Sequence, residues 1–178
     1  MINMLLSQKI YQELVNGRVI NEVSYCSDGS LEPNDLYEEL FRNYDTYYRE
    51  HYESIGYELV PRNGFMFIRS LERNELYSEV AMKIQSLLMV LARGVQELGY
   101  EFALLTTHDA GVSDKLLEQI DTEEKRDILR ACGLKGGLID ESRRVLEARN
   151  IAYRNAKGCL VLSVAGNGFF NEVFEQSS

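Results

Sequence analysis

Residues 57–70 read YELVPRNGFMFIRS. Tyr57, Leu59, Phe65, Phe67 and Ile68 favour strands, and Asn63-Gly64 between them suits a tight hairpin turn. A second stretch, residues 151–170 (IAYRNAKGCLVLSVAGNGFF), has the same character. Its hairpin is expected to turn at Ala156-Lys157-Gly158. Gly166 and Gly168 flank Asn167 at an expected strand end, and Phe169, Phe170, Val173 and Phe174 form an apolar tail. Each stretch follows a helical pattern, and that repetition decides the fold.

Upstream of the first hairpin, Met4, Leu5, Ile10, Leu14 and Val15 predict a helix over 3–16 that stops at Gly17. The polar run around Asp28-Gly29 reads as a loop. A helix then begins near Pro33, with Asn34 and Asp35 placed to cap it. Its buried stripe is Leu36, Leu40, Phe41, Tyr44, Tyr47 and Tyr48, and it ends before Gly56. Downstream, apolar residues from Leu76 to Leu98 recur at three- and four-residue steps, predicting a long helix over 74–98 that Gly99 stops. YEFALLTT (100–107) reads as a short strand. Helices follow from Ser113 to Ile120, Thr122 to Cys132 and Leu138 to Arg149.

The order is helix, helix, hairpin, then three helices and a hairpin after the long one begins. It predicts a mainly α protein with small β-hairpin wings (α+β), built as tandem winged-helix units over 1–73 and 74–178. A three-helix core that small cannot bury all its apolar surface, and a hairpin packed on it covers part of the remainder. No Pro/Gly/Ser linker separates the units near 70–75, so they are expected to pack as one body.

The chain has 178 residues and a net charge of −9. Phosphate contacts need cations, so an acidic chain reaches nucleic acid only through a local basic patch. The three cysteines, Cys26, Cys132 and Cys159, are odd in number and lack metal-ligand spacing, as reduced cytosolic thiols do. The opening MINMLLSQKI has no signal-peptide pattern, and no window is apolar enough to span a membrane. A cytoplasmic protein without a membrane partner is expected.

No pattern of residues points to catalysis, a cofactor or a metal. His51 and His108 are far apart, and no Gly-rich loop precedes a Lys-Ser/Thr pair. Glu38-Glu39 and Glu123-Glu124 read as solvated helix faces rather than acid/base pairs. The chain is expected not to be an enzyme.

Charge and aromatics are distributed unevenly. Residues 27–58 hold nine acids against two bases, while residues 134–160 hold six bases against three acids. Arg143 and Arg144 fall on the last predicted helix of the second unit, Arg149 at its end, and Arg154 and Lys157 on the wing. In a winged helix these elements face DNA; the bland alternative is scattered solvated arginines, some serving the helix C-terminus. Tyr37, Tyr44, Tyr47, Tyr48, Tyr52 and Tyr57 crowd the acidic stretch. Tyrosine suits interfaces that are apolar at one end and wet at the other. Tyr47, Tyr48 and Tyr52 are therefore candidates for partner binding, with partly buried core tyrosines as the alternative.

Three stretches together resemble the MukE/MksE family. DLYEELFRNYDTYYREHYESIGYELVPRNGFMFIRS (35–70) resembles its acidic, aromatic helix followed by a GFFYLR-type hairpin. ELYSEVAMKIQSLLMVL (75–91) resembles its central helix, and SRRVLEARNIAYRNAKGCLVLSVAGNGFF (142–170) its arginine-rich helix and hydrophobic wing. The order of elements agrees over about residues 5–174. The absence here of a long acidic tail points to the shorter MksE-like branch or its plasmid-defence relatives. The resemblance implies a non-enzymatic tandem winged-helix subunit that forms a homodimer and binds the kleisin (MukF/MksF-like) of a bacterial SMC complex. The SMC ATPase (MukB/MksB-like) supplies the ATP chemistry. The implied role is chromosome organisation, condensation and segregation in the cytoplasm at the nucleoid, with weak DNA contact mainly in the assembled complex. The competing reading is a winged-helix transcription regulator, which the net charge of −9 disfavours because it repels duplex DNA.

Overall fold

The computed structural model describes residues 2–26, 28–72 and 78–175, with side chains to Val173. The architecture is α+β: helices packed with small antiparallel sheets. Helix α1 (Met4–Val15) is capped by Asn3, whose side chain accepts the Leu5 and Leu6 N–H groups. Strands β1 (Ile20–Asn21), β2 (Val23–Tyr25) and β3 (Leu31–Pro33) occupy the stretch expected to be a loop. The local pattern hides them because β1 finds its partner far away in sequence, Ile20 opposite Met66 and Asn21 opposite Phe65.

Helix α2 (Asp35–Arg42) starts at the expected cap, with Asn34 Oδ1 accepting the Leu36 N–H. The long helix expected beyond it is interrupted. Residues Tyr44–Tyr48 form a π-helical stretch in which Tyr48 N–H reaches back five residues to Asn43 O, and α3 (Arg49–Ser54) follows. The wider turn shifts the helical register, and Phe41, expected in the buried stripe, is 67% exposed. Strands β4 (Tyr57–Arg62) and β5 (Phe65–Ser70) then form the expected hairpin around Asn63-Gly64. Gly64 has φ +82°, and a Cβ there would come within 2.7 Å of Val164 Cγ1, so the turn needs glycine on both counts.

Helix α4 (Glu79–Glu97) begins at Ser78, whose hydroxyl caps the Ala81 N–H. The earlier start expected for it, and Leu76, lie outside the described residues, as does the expected boundary at 73–74. YEFALLTT is not a strand: it contains a helical turn, α5 (Ala103–Thr106), that buries Leu105. Val112 supplies instead the bridge to the second hairpin, pairing with Leu160. Ser113 caps α6 (Asp114–Ile120) as expected, and α7 (Glu123–Ala131) follows. The last predicted helix is composite: α8 (Leu138–Glu141), a π-helical stretch (Ser142–Leu146) and a 3₁₀ turn (Glu147–Arg149), ending at Asn150 in the left-handed region. Strands β6 (Ala152–Arg154) and β7 (Leu160–Leu162) form the second hairpin. Residues 164–175, expected to hold a strand end and tail, are helix α9 (Val164–Glu175), with Gly166 and Gly168 inside it. Ser163 Oγ caps it at Gly166 N–H, a signal outweighed at the sequence level by the two glycines.

Two apolar cores result. One gathers Ile10, Leu14, Ile20, Leu40, Tyr48, Tyr52, Leu59 and Met66. The other is built on α4, α6 and β7 but includes Val19 and Phe65 from the first half of the chain. Successive strand side chains point to opposite faces, so Val19 and Phe65 serve the second core while their neighbours Ile20 and Met66 serve the first. Asn21, opposite Phe65, shares the face turned to the second half.

Candidate functional site

The five basic candidates are not equivalent. Arg143 and Arg144 project from the π-helical stretch with side chains 59% and 62% exposed. Arg143 lies 3.9 Å from Asp140, too far for a strong pair. Arg144 pairs with Glu141, a carboxylate 3% exposed. Glu141 Oε1 also accepts the Lys135 and Gly136 N–H groups. Burial opposes its ionisation, but Arg144 and the Gly136 and Lys135 amides outweigh burial and hold the carboxyl below the usual glutamate range. The loop before α8 is thereby tied to the base of the arginine-bearing helix.

Arg149 and Arg154 are committed within the chain, and Lys157 makes a single exposed bond. Arg149 folds back on its own helix end and donates to the Arg144 and Val145 carbonyls. Burial, and then the Arg144 charge, push its pKa below the ordinary arginine value. Arg154 donates to Asp114 Oδ1, Glu147 Oε1 and Gly158 O, and these carboxylates offset its burial and raise its pKa. Lys157 is exposed, but its Nζ donates to Asp109 O at 2.7 Å. The structure brings Arg143, Arg144 and Arg149 together on one helix and leaves Arg143 and Arg144 as its outward charges. Arg18 escaped sequence reading: its Nε donates to Ala148 O, placing a first-half cation at the end of the same helix. The polar run around it gave no local signal for this long-range contact.

The tyrosine candidates divide as well. Tyr48 and Tyr52 are each 1% exposed and belong to the first core, so neither is open to a partner. Their burial follows from the register that the π-helical stretch sets. The Tyr48 hydroxyl faces Glu39 Oε1 at 3.4 Å, and that buried carboxylate also accepts the Asn3 N–H and the Asn43 side chain. Burial pushes both tyrosine pKa values up. Tyr47 alone reaches the surface, stacking on His51 with ring centroids 5.3 Å apart. Beside it, Met4 and Tyr11 of α1 line a shallow groove with Tyr47 and His51, and α1 also exposes Leu5 and Val15. The sequence reading assigned Met4, Leu5 and Val15 to a helix but passed over their outward face.

The halves meet through polar and aromatic contacts. Tyr25 stacks on Tyr153 at 3.8 Å, and its hydroxyl accepts the Val164 N–H. Burial, then Tyr25 and Asp109, push Tyr153 up to about 12, so its hydroxyl remains protonated beside His108 Nδ1, 2.8 Å away. Phe169 packs edge-on against Phe65 and Phe67. Among the described residues no cluster of three metal-ligating side chains occurs, and no helix is long and apolar enough to cross a membrane.

No curated protein matches the chain. The family described as "Condensin complex protein MksE" matches residues 6–174, a span that includes both hairpins, the arginine-bearing helix and the tyrosine-rich stretch. The chain therefore belongs to the MksE family of condensin complex proteins.

Proposed function

We propose that this chain is a non-enzymatic accessory subunit of a bacterial SMC condensin-type complex, acting in chromosome organisation, condensation and segregation. The observation that carries the reading is the family match over nearly the whole chain. In this reading the two helix-and-hairpin halves are tandem winged-helix units, dividing near residues 73–74. The subunit is a cytoplasmic, nucleoid-associated homodimer that binds the kleisin (MukF/MksF-like), and the SMC ATPase (MukB/MksB-like) performs the ATP chemistry. Tyr47 and the exposed α1 face supply a kleisin-facing surface, since aromatic anchors dominate interface energies. Tyr48 and Tyr52 act by supporting Tyr47 from beneath.

Duplex DNA is met weakly and without base readout through Arg143 and Arg144, because two outward guanidinium groups release few phosphate counterions. The field of such a patch fades within about 8–10 Å at physiological salt. The lone acidic subunit therefore binds poorly, and the assembled complex supplies the effective concentration. The test is co-expression with the kleisin and SMC subunits, followed by co-purification and a DNA titration across a salt series. The expected result is a stable complex whose DNA affinity and salt slope fall in Arg143→Glu/Arg144→Glu without loss of assembly. Failure to co-purify with the kleisin overturns the subunit reading. Tight, sequence-selective binding by the lone chain establishes a transcription regulator instead.

A further inference from the structure

We infer that Asn21 is a positioning residue that fixes the bearing of the arginine-bearing helix against the first half of the molecule, an inference resting on the reading of Arg143 and Arg144 as the duplex-facing charges. Asn21 is 3% exposed and lies in β1, on the strand face turned to the second half. Its Nδ2 donates to Asn150 O at 2.9 Å, where the arginine-bearing helix ends. Its Oδ1 accepts the Ala165 N–H at 2.9 Å, where α9 begins. One amide side chain thus closes the C-terminus of one helix and the N-terminus of the next, two places where backbone groups lack partners inside their own helix.

The neighbours of Asn21 complete the arrangement. Val19 N–H donates to Arg149 O, and the Arg18 side chain to Ala148 O. In return the Asn150 side chain donates to Val19 O and reaches Glu13 at the end of α1. The carbonyls of Ala148, Arg149 and Asn150 therefore all receive donors from residues 18–21. The Ser163 hydroxyl also donates to Asn150 O, at 2.7 Å. Asn150 adopts φ +60°, a conformation asparagine tolerates better than most residues, so the chain turns here with its side chain aimed back at β1. The Asn21 backbone carbonyl is held in turn by Asn34 Nδ2 at the start of α2. A tilt of the arginine-bearing helix would break these bonds together. Arg143 and Arg144 therefore keep a fixed direction relative to α1 and α2.

A residue that only adds stability and one that sets position differ in where they loosen the protein. The experiment is amide hydrogen exchange on the full chain, comparing wild type with Asn21→Ala, Asn21→Asp and Asn150→Gly. Asn21→Ala is expected to speed exchange about tenfold at Val19 and Ala165, the order produced by losing one buried hydrogen bond. Exchange in Leu87–Val95 of α4 should stay at the wild-type rate. Asn21→Asp retains the acceptor and should keep Ala165 protected while Val19 opens. Asn150→Gly retains the backbone turn and should open Val19 alone. Unchanged exchange in a folded Asn21→Ala protein, or an equal rise throughout α4, overturns the inference. The same variants, assembled with kleisin and SMC subunits and titrated with duplex DNA, should show a shallower salt slope. Local opening with an unchanged slope overturns the positioning role. An unchanged slope in Arg143→Glu/Arg144→Glu removes instead the reading on which it rests.

Discussion

Arg154 lies between two carboxylates, 2.6 Å from Asp114 Oδ1 and 2.9 Å from Glu147 Oε1, on a hairpin edge that the charge pattern alone marks as DNA-facing. Its side chain is 20% exposed and its pair with Glu147 is sheltered on both sides, so the guanidinium is structural. Arg154→Ala is expected to cost about 2 kcal/mol in urea unfolding, the order of a lost hydrogen bond to a charged group. Lys157→Ala, which removes one exposed bond to a carbonyl, should stay within about 0.5 kcal/mol. A loss in DNA affinity for folded Arg154→Ala equal to that of Arg143→Glu/Arg144→Glu would contradict this division.

Glu141 gives the fold a defined acid sensitivity. Its pKa is lowered in the folded state, so its contribution is present above the unfolded value, about 4.3 for glutamate, and is lost as pH falls through the folded one. Glu141→Gln should therefore narrow the stability gap between pH ~6 and pH ~3 relative to wild type, as urea midpoints across a pH series would record. A gap as wide as wild type would show that the carboxylate is not linked to folding.

Tyr47 and Tyr52 should separate function from stability. Tyr52 fills the first core, and Tyr52→Ala is expected to cost about 3–5 kcal/mol, as large buried aromatics do. Tyr47→Ala should cost well under half of that while weakening capture of the kleisin. Denaturation and co-purification on the same two variants check both halves of this expectation.

Gly166→Ala should destabilise despite lying in a helix, where alanine is favoured by about 1 kcal/mol. A Cβ at this position would stand 2.1 Å from Ile151 O, a backbone atom that cannot step aside. Strain of about 1–3 kcal/mol therefore outweighs the propensity gain. A melting temperature at or above wild type would show that α9 can shift away.

Those glycines also mark what the sequence conceals. Gly166 and Gly168 look like punctuation in a strand, yet each is a close approach inside a helix, to Ile151 O and to the Phe65 ring. The hairpins at 57–62/65–70 and 152–154/160–162 were legible because turn residues stand between strand formers. The caps at Asn34 and Ser113 were legible because capping is local. The π-helical stretch at 44–48 has no residue signature, and it brought Tyr52, outside the expected stripe, inward while leaving Phe41 out. The exposure of Arg143 and Arg144 could be anticipated from charge, but the sequestering of Arg154 by Asp114, forty residues away, could not.

The alternation along β5 constrains how this gene can change. Phe65 belongs to one core and Met66 to the other, and Val19 and Ile20 repeat the division in the neighbouring strand segment. Deleting or inserting a single residue here would present each core with the side chain cut for its counterpart. Codon gains and losses should therefore accumulate in the surface turns and not between Phe65 and Met66.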